Sequence, residues 1–181
     1  KIYNFKIFAS NKKNITSHTL LKKCKFDDQS ELGLIKKISK KNKIFLLDCG
    51  CNYGFYSFYA ASLSSQNLVI AIEASPTTAK DFEKNLNLNK FKNIALKNFA
   101  ISNTDNIRIT LNESKNDWES SLSHTDFDKK KVTKVKTKKI DTIIKNKKLD
   151  DYSLLIKLDI EGHELQAIEG AKNTIKKYKP I

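Results

Sequence analysis

Short continuous apolar runs alternate along this chain with longer segments whose apolar residues recur at helical spacing. Ile44-Phe45-Leu46-Leu47-Asp48 is a run of the kind found in a strand buried on both faces. A glycine turn follows, and residues 54–64 predict a helix. Leu68-Val69-Ile70-Ala71-Ile72 repeats the strand signal and ends in Glu73. Ser75-Pro76 opens a helix with proline in its first turn, and Phe82, Leu86 and Asn89 mark its course. Residues 94–101 predict a third strand. Residues 107–111 and the alternation Val132-Thr133-Lys134-Val135-Lys136-Thr137 predict an antiparallel hairpin inserted among the main strands, around a polar loop containing Trp118. Asp141 is placed to cap a short helix. Leu154-Leu155-Ile156-Lys157-Leu158-Asp159 is a fourth buried strand. Residues 164–177 then predict one helix with Leu165, Ile168, Ala171 and Ile175 on a shared face. Upstream, residues 1–8 alternate as an edge strand does, and the run to Asn14 is loop. Asp28 or Ser30 is placed to cap a helix carrying Leu32, Ile35 and Ile38.

Strands alternating with helices imply an α/β fold with a doubly wound, mostly parallel sheet. At 181 residues the chain suits one main domain, expected at 28–181, preceded by a strand-and-loop appendage at 1–27. The sequence begins at Lys1, contains no Met, and stops at Tyr178-Lys179-Pro180-Ile181, where a proline after a helix would open a further strand. The expectation is a fragment whose fourth strand presents an unpaired apolar edge.

Composition narrows the classes. No apolar run approaches the ~20 residues of a membrane-spanning helix. Five Gly and two Pro exclude collagen-like and proline-rich chains, and Cys24, Cys49 and Cys51 are too few for a disulfide scaffold. They are read as reduced thiols of a cytoplasmic protein. The net charge is +14, from 34 Lys+Arg against 20 Asp+Glu, which taken alone points to nucleic acid or another anionic surface. Arg108 is the single arginine, however, and a phosphate- or base-reading surface favours the guanidinium fork. Residues 1–43 carry 12 Lys against 3 acids (+9), residues 129–150 carry 10 against 2 (+8), and the rest sums to −3. A solvated lysine coat and an anion-facing rim both account for these clusters.

Ligands of open parallel sheets sit beyond the carboxyl ends of the strands, which here means Asp48 to Gly54, Glu73 to Pro76, Asn98 to Ser102 and Asp159 to His163. The first group reads Asp48-Cys49-Gly50-Cys51-Asn52-Tyr53-Gly54-Phe55-Tyr56-Ser57. Two glycines four apart let the backbone pass close under a ligand and lead into a helix start. Asn52 stands where the dinucleotide fingerprint requires glycine, which argues against a pyrophosphate cradle. Glu73, 23 residues after Gly50, ends its strand where a carboxylate accepts from both hydroxyls of a ribose. A nucleoside ligand without a pyrophosphate fits both features.

Four blocks in order make the pattern specific. They are Asp48-x-Gly50-x-Asn52-x-Gly54-Phe55-x-Ser57, Glu73-Ala74-Ser75-Pro76, Asn98-Phe99-Ala100-Ile101-Ser102, and Ile156-Lys157-Leu158-Asp159-Ile160-Glu161-Gly162-His163-Glu164 continuing to Gly170-Ala171. Together with Asn85-Leu86-x-x-Asn89 they resemble the FkbM family of S-adenosylmethionine-dependent methyltransferases over residues 28–181. The resemblance implies a Rossmann-like class I methyltransferase fold, whose seven-stranded sheet would here be truncated before the fifth strand. It also implies bound S-adenosylmethionine: Gly50, Asn52 and Gly54 flanking the methionine part, Glu73 on the ribose, Ser75 and Ala100 along the adenine. Asp48, Phe55, Ala74 and Asp159 complete the expected cofactor set, with Asp48 an anchor receiving amides of its own turn. Cys49 and Cys51 depart from the small aliphatic residues usual there. Without histidine at zinc spacing they read as small buried thiols, and no metal site is expected.

Methyl transfer from a sulfonium is an in-line displacement, so the protein must align an acceptor and, for a hydroxyl, remove its proton. His163, Asp159 and Glu161 are the catalytic candidates. Asp159 and Glu161 could instead meet the cofactor's ammonium or share a divalent metal, and Glu161 and Glu164 could serve a helix N-terminus, with Lys157 paired to them. Trp118 is either an acceptor platform or a plug, and His18 and His124 read as surface residues. The acceptor is expected to be a sugar, glycan or natural-product hydroxyl, met by lysines of 129–150 if it is anionic. The alternatives are a basic nucleic-acid-binding protein or RNA methyltransferase, and a cofactor-binding remnant without catalysis. Against the nucleic-acid readings stand the lack of an arginine-rich recognition helix, of an RNP string, and of an Asn/Asp-Pro-Pro-aromatic string.

Overall fold

A computed structural model describes residues 3–7, 29–113 and 131–181. His18, Cys24, Asp28, Trp118 and His124 lie outside these residues. Four parallel strands, β1 (Lys43–Cys49), β2 (Leu68–Glu73), β3 (Ile94–Asn98) and β7 (Tyr152–Leu158), form a sheet in the order β3-β2-β1-β7. Leu47 of β1 lies beside Ile70 of β2 and Ile156 of β7. Successive strand side chains alternate between faces, so the continuous apolar runs supply two cores. On one face Ile44, Leu46, Val69 and Ala71 pack under α1 (Gln29–Ser39), α2 (Phe55–Leu63) and α3 (Pro76–Asn89), with Phe58 and Phe82 at the centre. On the other, Phe45, Leu47, Ile70 and Ile72 meet α4 (Ile140–Ile144), α5 (Glu164–Glu169) and α6 (Lys172–Tyr178) through Ile140, Ile144, Ala167 and Ala171. The expected doubly wound, parallel α/β architecture is therefore present.

The expected third strand is broken. The Asn98 side-chain amide donates to the carbonyls of Glu73 (2.7 Å) and Ala74 (3.1 Å), closing the β2–β3 ladder. After Phe99 the chain pairs elsewhere. β4 (Ala100–Ile101) lies parallel to β6 (Lys131–Lys138), which is antiparallel to β5 (Arg108–Glu113), so the hairpin belongs to a second, three-stranded sheet.

The expected helix over 164–177 is also divided, at Gly170. A Cβ there would lie 2.3 Å from the Ser102 carbonyl oxygen, so only glycine lets this segment cross the end of β4. The Gly170 carbonyl accepts from the Asp141 amide instead of continuing a helix. Asp141 does not cap its own helix, whose N-cap is Lys139. Its carboxylate takes the amides of Asn173 (3.1 Å) and Thr174 (2.7 Å) at the start of α6. The face turned to the core is Ala167, Ala171 and Thr174, whereas Leu165, Ile168 and Ile175 are 67%, 47% and 39% exposed.

Residues 3–7 form no strand. Tyr3, Phe5 and Ile7 pack on the first core, and the Asn89 side-chain amide takes the place of a partner strand, bonding the Lys6 N–H and C=O at 2.6 Å each. Ser30 lies inside α1, its hydroxyl donating to Glu31. Beyond α6, Ile181 donates to the Leu154 carbonyl and accepts from the Ile156 amide, both at 3.0 Å. β7 is the edge strand of its sheet, as expected, and Ile181 pairs with it at this one point. No helix among the described residues is long and apolar enough to cross a membrane.

Candidate functional site

The first glycine turn is shaped by what crosses it. Gly50 has φ +76°, and a Cβ there would stand 1.9 Å from the Asp159 carbonyl oxygen, so the ends of β1 and β7 meet backbone to backbone. Gly50 and Cys51 both donate to the Ile72 carbonyl, at 2.9 and 3.0 Å. Asn52 follows at φ 49°, the left-handed region asparagine tolerates. Gly54 (φ +93°) ends the turn with its α-carbon between the rings of Phe58 and Phe82, where a Cβ would lie 2.6 Å from each.

Glu73 terminates β2 with both oxygens engaged: Oε1 accepts from the Ser75 amide (2.9 Å) and Oε2 from the Asn52 amide (3.0 Å). Burial pushes its carboxyl up to about 7, against these two hydrogen bonds. Ser75 is the N-cap of α3, its hydroxyl accepting from Thr78. The strand-end acid is thereby fixed to the glycine turn on one side and to a helix start on the other.

At the end of β7 the chain turns through Glu161 (φ 50°) and Gly162 (φ 89°). Glu164 reaches back, accepting from the Ile160 and Gly162 amides at 3.3 Å, so it shapes the 159–163 loop. His163 is the N-cap residue of α5, and its Nε2 lies 3.1 Å from Ser102 Oγ. Burial lowers its pKa below the ordinary histidine value, against the opposing charge of Glu164.

These elements line a cleft that is open to solvent. Its walls include Gly50, Asn52, Glu73, Ala74, Ala100, Asp159 and Glu161 from the expected set. Phe99, Ile101 and Ile160, from the expected strand-end segments, line it too, and nothing in the sequence singled out Ile72, Thr78 and Leu111. Strand alternation placed Leu111 on one face of the hairpin, but no local signal aimed that face at the first sheet.

Other expected residues are not in the cleft lining. Gly54 serves ring packing, Phe55 is in the first core beside Tyr3 and Phe5, and Ser75 works as a cap. His163 stands beside the cleft. Asp48 is fully buried and, in place of turn amides, accepts from the Ser57 hydroxyl (2.7 Å) and faces Lys157 Nζ at 3.7 Å. Among the described residues no lysine or arginine lines the cleft. Lys134 and Lys136 lie on the exposed face of β6, opposite the face of Val135 that packs with Leu111. Cys49 and Cys51 are free and buried, and burial, then Asp48, drives both thiols far above the ordinary cysteine value. The described residues hold no cluster of three or more metal-ligating side chains.

A parallel sheet with a glycine turn, a buried acid at the next strand end and a cleft over both is the arrangement of a Rossmann-like, nucleotide-binding α/β fold. Residues 48–181 match the methyltransferase FkbM domain. The chain belongs to that family of S-adenosylmethionine-dependent methyltransferases. Solved structures it is similar to include a putative caffeoyl-CoA O-methyltransferase from Staphylococcus aureus (25% identity, TM-score 0.39, 45% of this chain and 40% of that one). Others are P. horikoshii TYW2 in complex with MeSAdo (27%, 0.31, 38% and 29%) and a SAM dependent methyltransferase from Aquifex aeolicus (21%, 0.35, 52% and 52%). The chain thus spans between 29% and 52% of the length of these proteins. No curated protein matches it.

Proposed function

We propose that this chain binds S-adenosylmethionine in the cleft and directs its methyl group to a hydroxyl oxygen of a sugar, glycan or natural product. The observation that carries the reading is the pairing of Glu73 with an unsatisfied acceptor on the same wall. Asn52 Oδ1 is buried without a hydrogen-bond partner, and its residue lines the cleft. A buried acceptor left open costs about 1–3 kcal/mol, and a ligand donor would remove that cost. Glu73 would hold the ribose hydroxyls, Phe99, Ala100, Ile101 and Leu111 would cover the base, and Asp159 would meet the ammonium of the amino-acid end. The residues present therefore fit the cofactor, which when bound supplies an electrophilic methyl group on a sulfonium.

The acceptor would enter over Asp159, Glu161 and the His163–Ser102 pair. His163, with its lowered pKa, is neutral at pH 7 and free to take a hydroxyl proton. Lys134, Lys136 and the other described lysines of this cluster are absent from the cleft lining, so the anionic acceptor loses their support and an uncharged hydroxyl is favoured. The appendage at 1–27 and the domain boundary at 28 remain part of this proposal, as does a cytoplasmic location, which the unpaired thiols of Cys49 and Cys51 support.

Transfer of labelled methyl from S-adenosylmethionine to a panel of neutral and acidic glycans is the test. Turnover on a neutral hydroxyl acceptor, lowered ~10²-fold by His163→Ala, is expected. Labelling confined to polynucleotide, or none with any acceptor, would overturn the reading.

A further inference from the structure

Lys157 occupies an unusual place for a lysine. It stands directly beside Asp48 in the parallel β1–β7 register, its side chain only 19% exposed. Nζ lies 3.2 Å from Asp159 Oδ2, 3.5 Å from the Gly50 carbonyl oxygen and 3.7 Å from Asp48 Oδ1, with the Tyr56 ring centroid at 5.0 Å. One ammonium therefore touches the turn after β1 and the loop after β7. Asp48 Oδ1 has no hydrogen-bond partner, so its attraction to Lys157 is electrostatic. Asp159 is the opposite case: its side chain is 65% exposed and lines the cleft, and the Lys157 contact is what fixes it.

Burial of a lysine is costly unless it is paired. A pair with Asp48 alone would join the strands without reaching past the sheet. The ammonium instead leans to its stronger contact at Asp159, one residue beyond the strand, in the cleft. We infer that Lys157 is a positioning residue for ligand recognition: it holds one oxygen of Asp159 and leaves the other for the amino-acid ammonium of the methyl donor. This rests on the cofactor reading above. Burial opposes the charge on Lys157, but Asp48 and then Asp159 outweigh it and keep its pKa above the ordinary lysine value, so the lock persists across the working pH range.

Replacing Lys157 alone would leave Asp48 buried and uncompensated, so the test is made in an Asp48→Asn background, where the buried carboxylate that faces Lys157 across the strands is gone. In that background Lys157→Met, Asp159→Asn and the two together are titrated calorimetrically with S-adenosylhomocysteine, which carries the same amino-acid end, and their melting temperatures are recorded. Each change is expected to weaken binding about tenfold, and the pair also about tenfold, because both remove one interaction. Losses that multiply to about a hundredfold, or unchanged affinity in Lys157→Met, would overturn the inference. A melting temperature lowered in step with affinity would make Lys157 structural only, which also overturns it. If the unmutated protein binds neither S-adenosylhomocysteine nor S-adenosylmethionine, the cofactor reading itself falls.

Discussion

Raising the pH from 4.5 to 8 is expected to weaken the fold through one buried carboxyl. Burial sets Glu73 at about 7, against the Ser75 and Asn52 amides, whereas its ordinary value is 4.5. Between those values the native state keeps a proton that the unfolded chain has released, so the stability from this group falls as pH rises. The gap is roughly 2.5 pH units, and at about 1.4 kcal/mol per unit the loss is about 3 kcal/mol. That is a large part of a typical domain stability of ~5–15 kcal/mol. Asp105 and Asp141 act in a different window. Burial opposes their charge, but hydrogen bonds from Thr142 and Lys139 to the first, and from Thr174 and Asn173 to the second, hold both below 3.8. Their stabilisation is present above 3.8 and lost only as pH falls further. Urea denaturation of wild type and Glu73→Gln over pH 4.5–8 isolates the effect. Glutamine sets an amide donor against the Ser75 or Asn52 N–H, a pH-independent cost of about 1–3 kcal/mol. The wild-type advantage should therefore shrink by about 3 kcal/mol across the range. Two curves that run parallel would refute the burial argument.

Gly50→Ala forces a Cβ onto the Asp159 carbonyl at a positive φ, so a loss of roughly 2 kcal/mol or more in unfolding free energy is expected, together with loss of cofactor binding. Cys49 and Cys51, buried with raised pKa values, should stay unlabelled by a thiol reagent until denaturant is added; peptide mapping that finds prompt native-state labelling at either would contradict this. Asp141→Ala removes the acceptor for two amides of α6 and should cost about 1 kcal/mol, read from the same urea curves.

β1 and β2 were legible because each is buried on both faces, so its apolar run is continuous, and β7, buried at Leu154 and Leu155, still carries an apolar run; all three fall within two residues of expectation. The glycine turn and Glu73 followed from where those strands end. The missed features depend on distant partners. Nothing local breaks the run from Ile94 to Ile101; the break comes from Asn98 bonding back to the end of β2 and from β6 capturing Ala100 and Ile101. Helical spacing alone could not show that Gly170 must pass Ser102, which splits the last helix and turns Ala167, Ala171 and Thr174 inward in place of the larger Leu165, Ile168 and Ile175. Asp141 was recognised as a cap, but the helix it caps lies 30 residues further on, and only tertiary packing brings the two together. Lysine counts left a solvated coat and an anion-facing rim both open, and strand alternation puts Lys134 and Lys136 on the face of the hairpin turned away from Leu111 and the cleft.

Whether the cleft holds the methyl donor through Glu73 is tested most directly by calorimetric titration of S-adenosylmethionine into wild type and Glu73→Ala at pH 8, where the Glu73 carboxyl is mostly ionised. Saturable binding at one site is expected for wild type, and the charge-assisted hydrogen bonds lost in Glu73→Ala should weaken it by about 1–3 kcal/mol, roughly ten- to a hundredfold. Equal affinity in the two proteins, or no binding by wild type, would contradict the assignment.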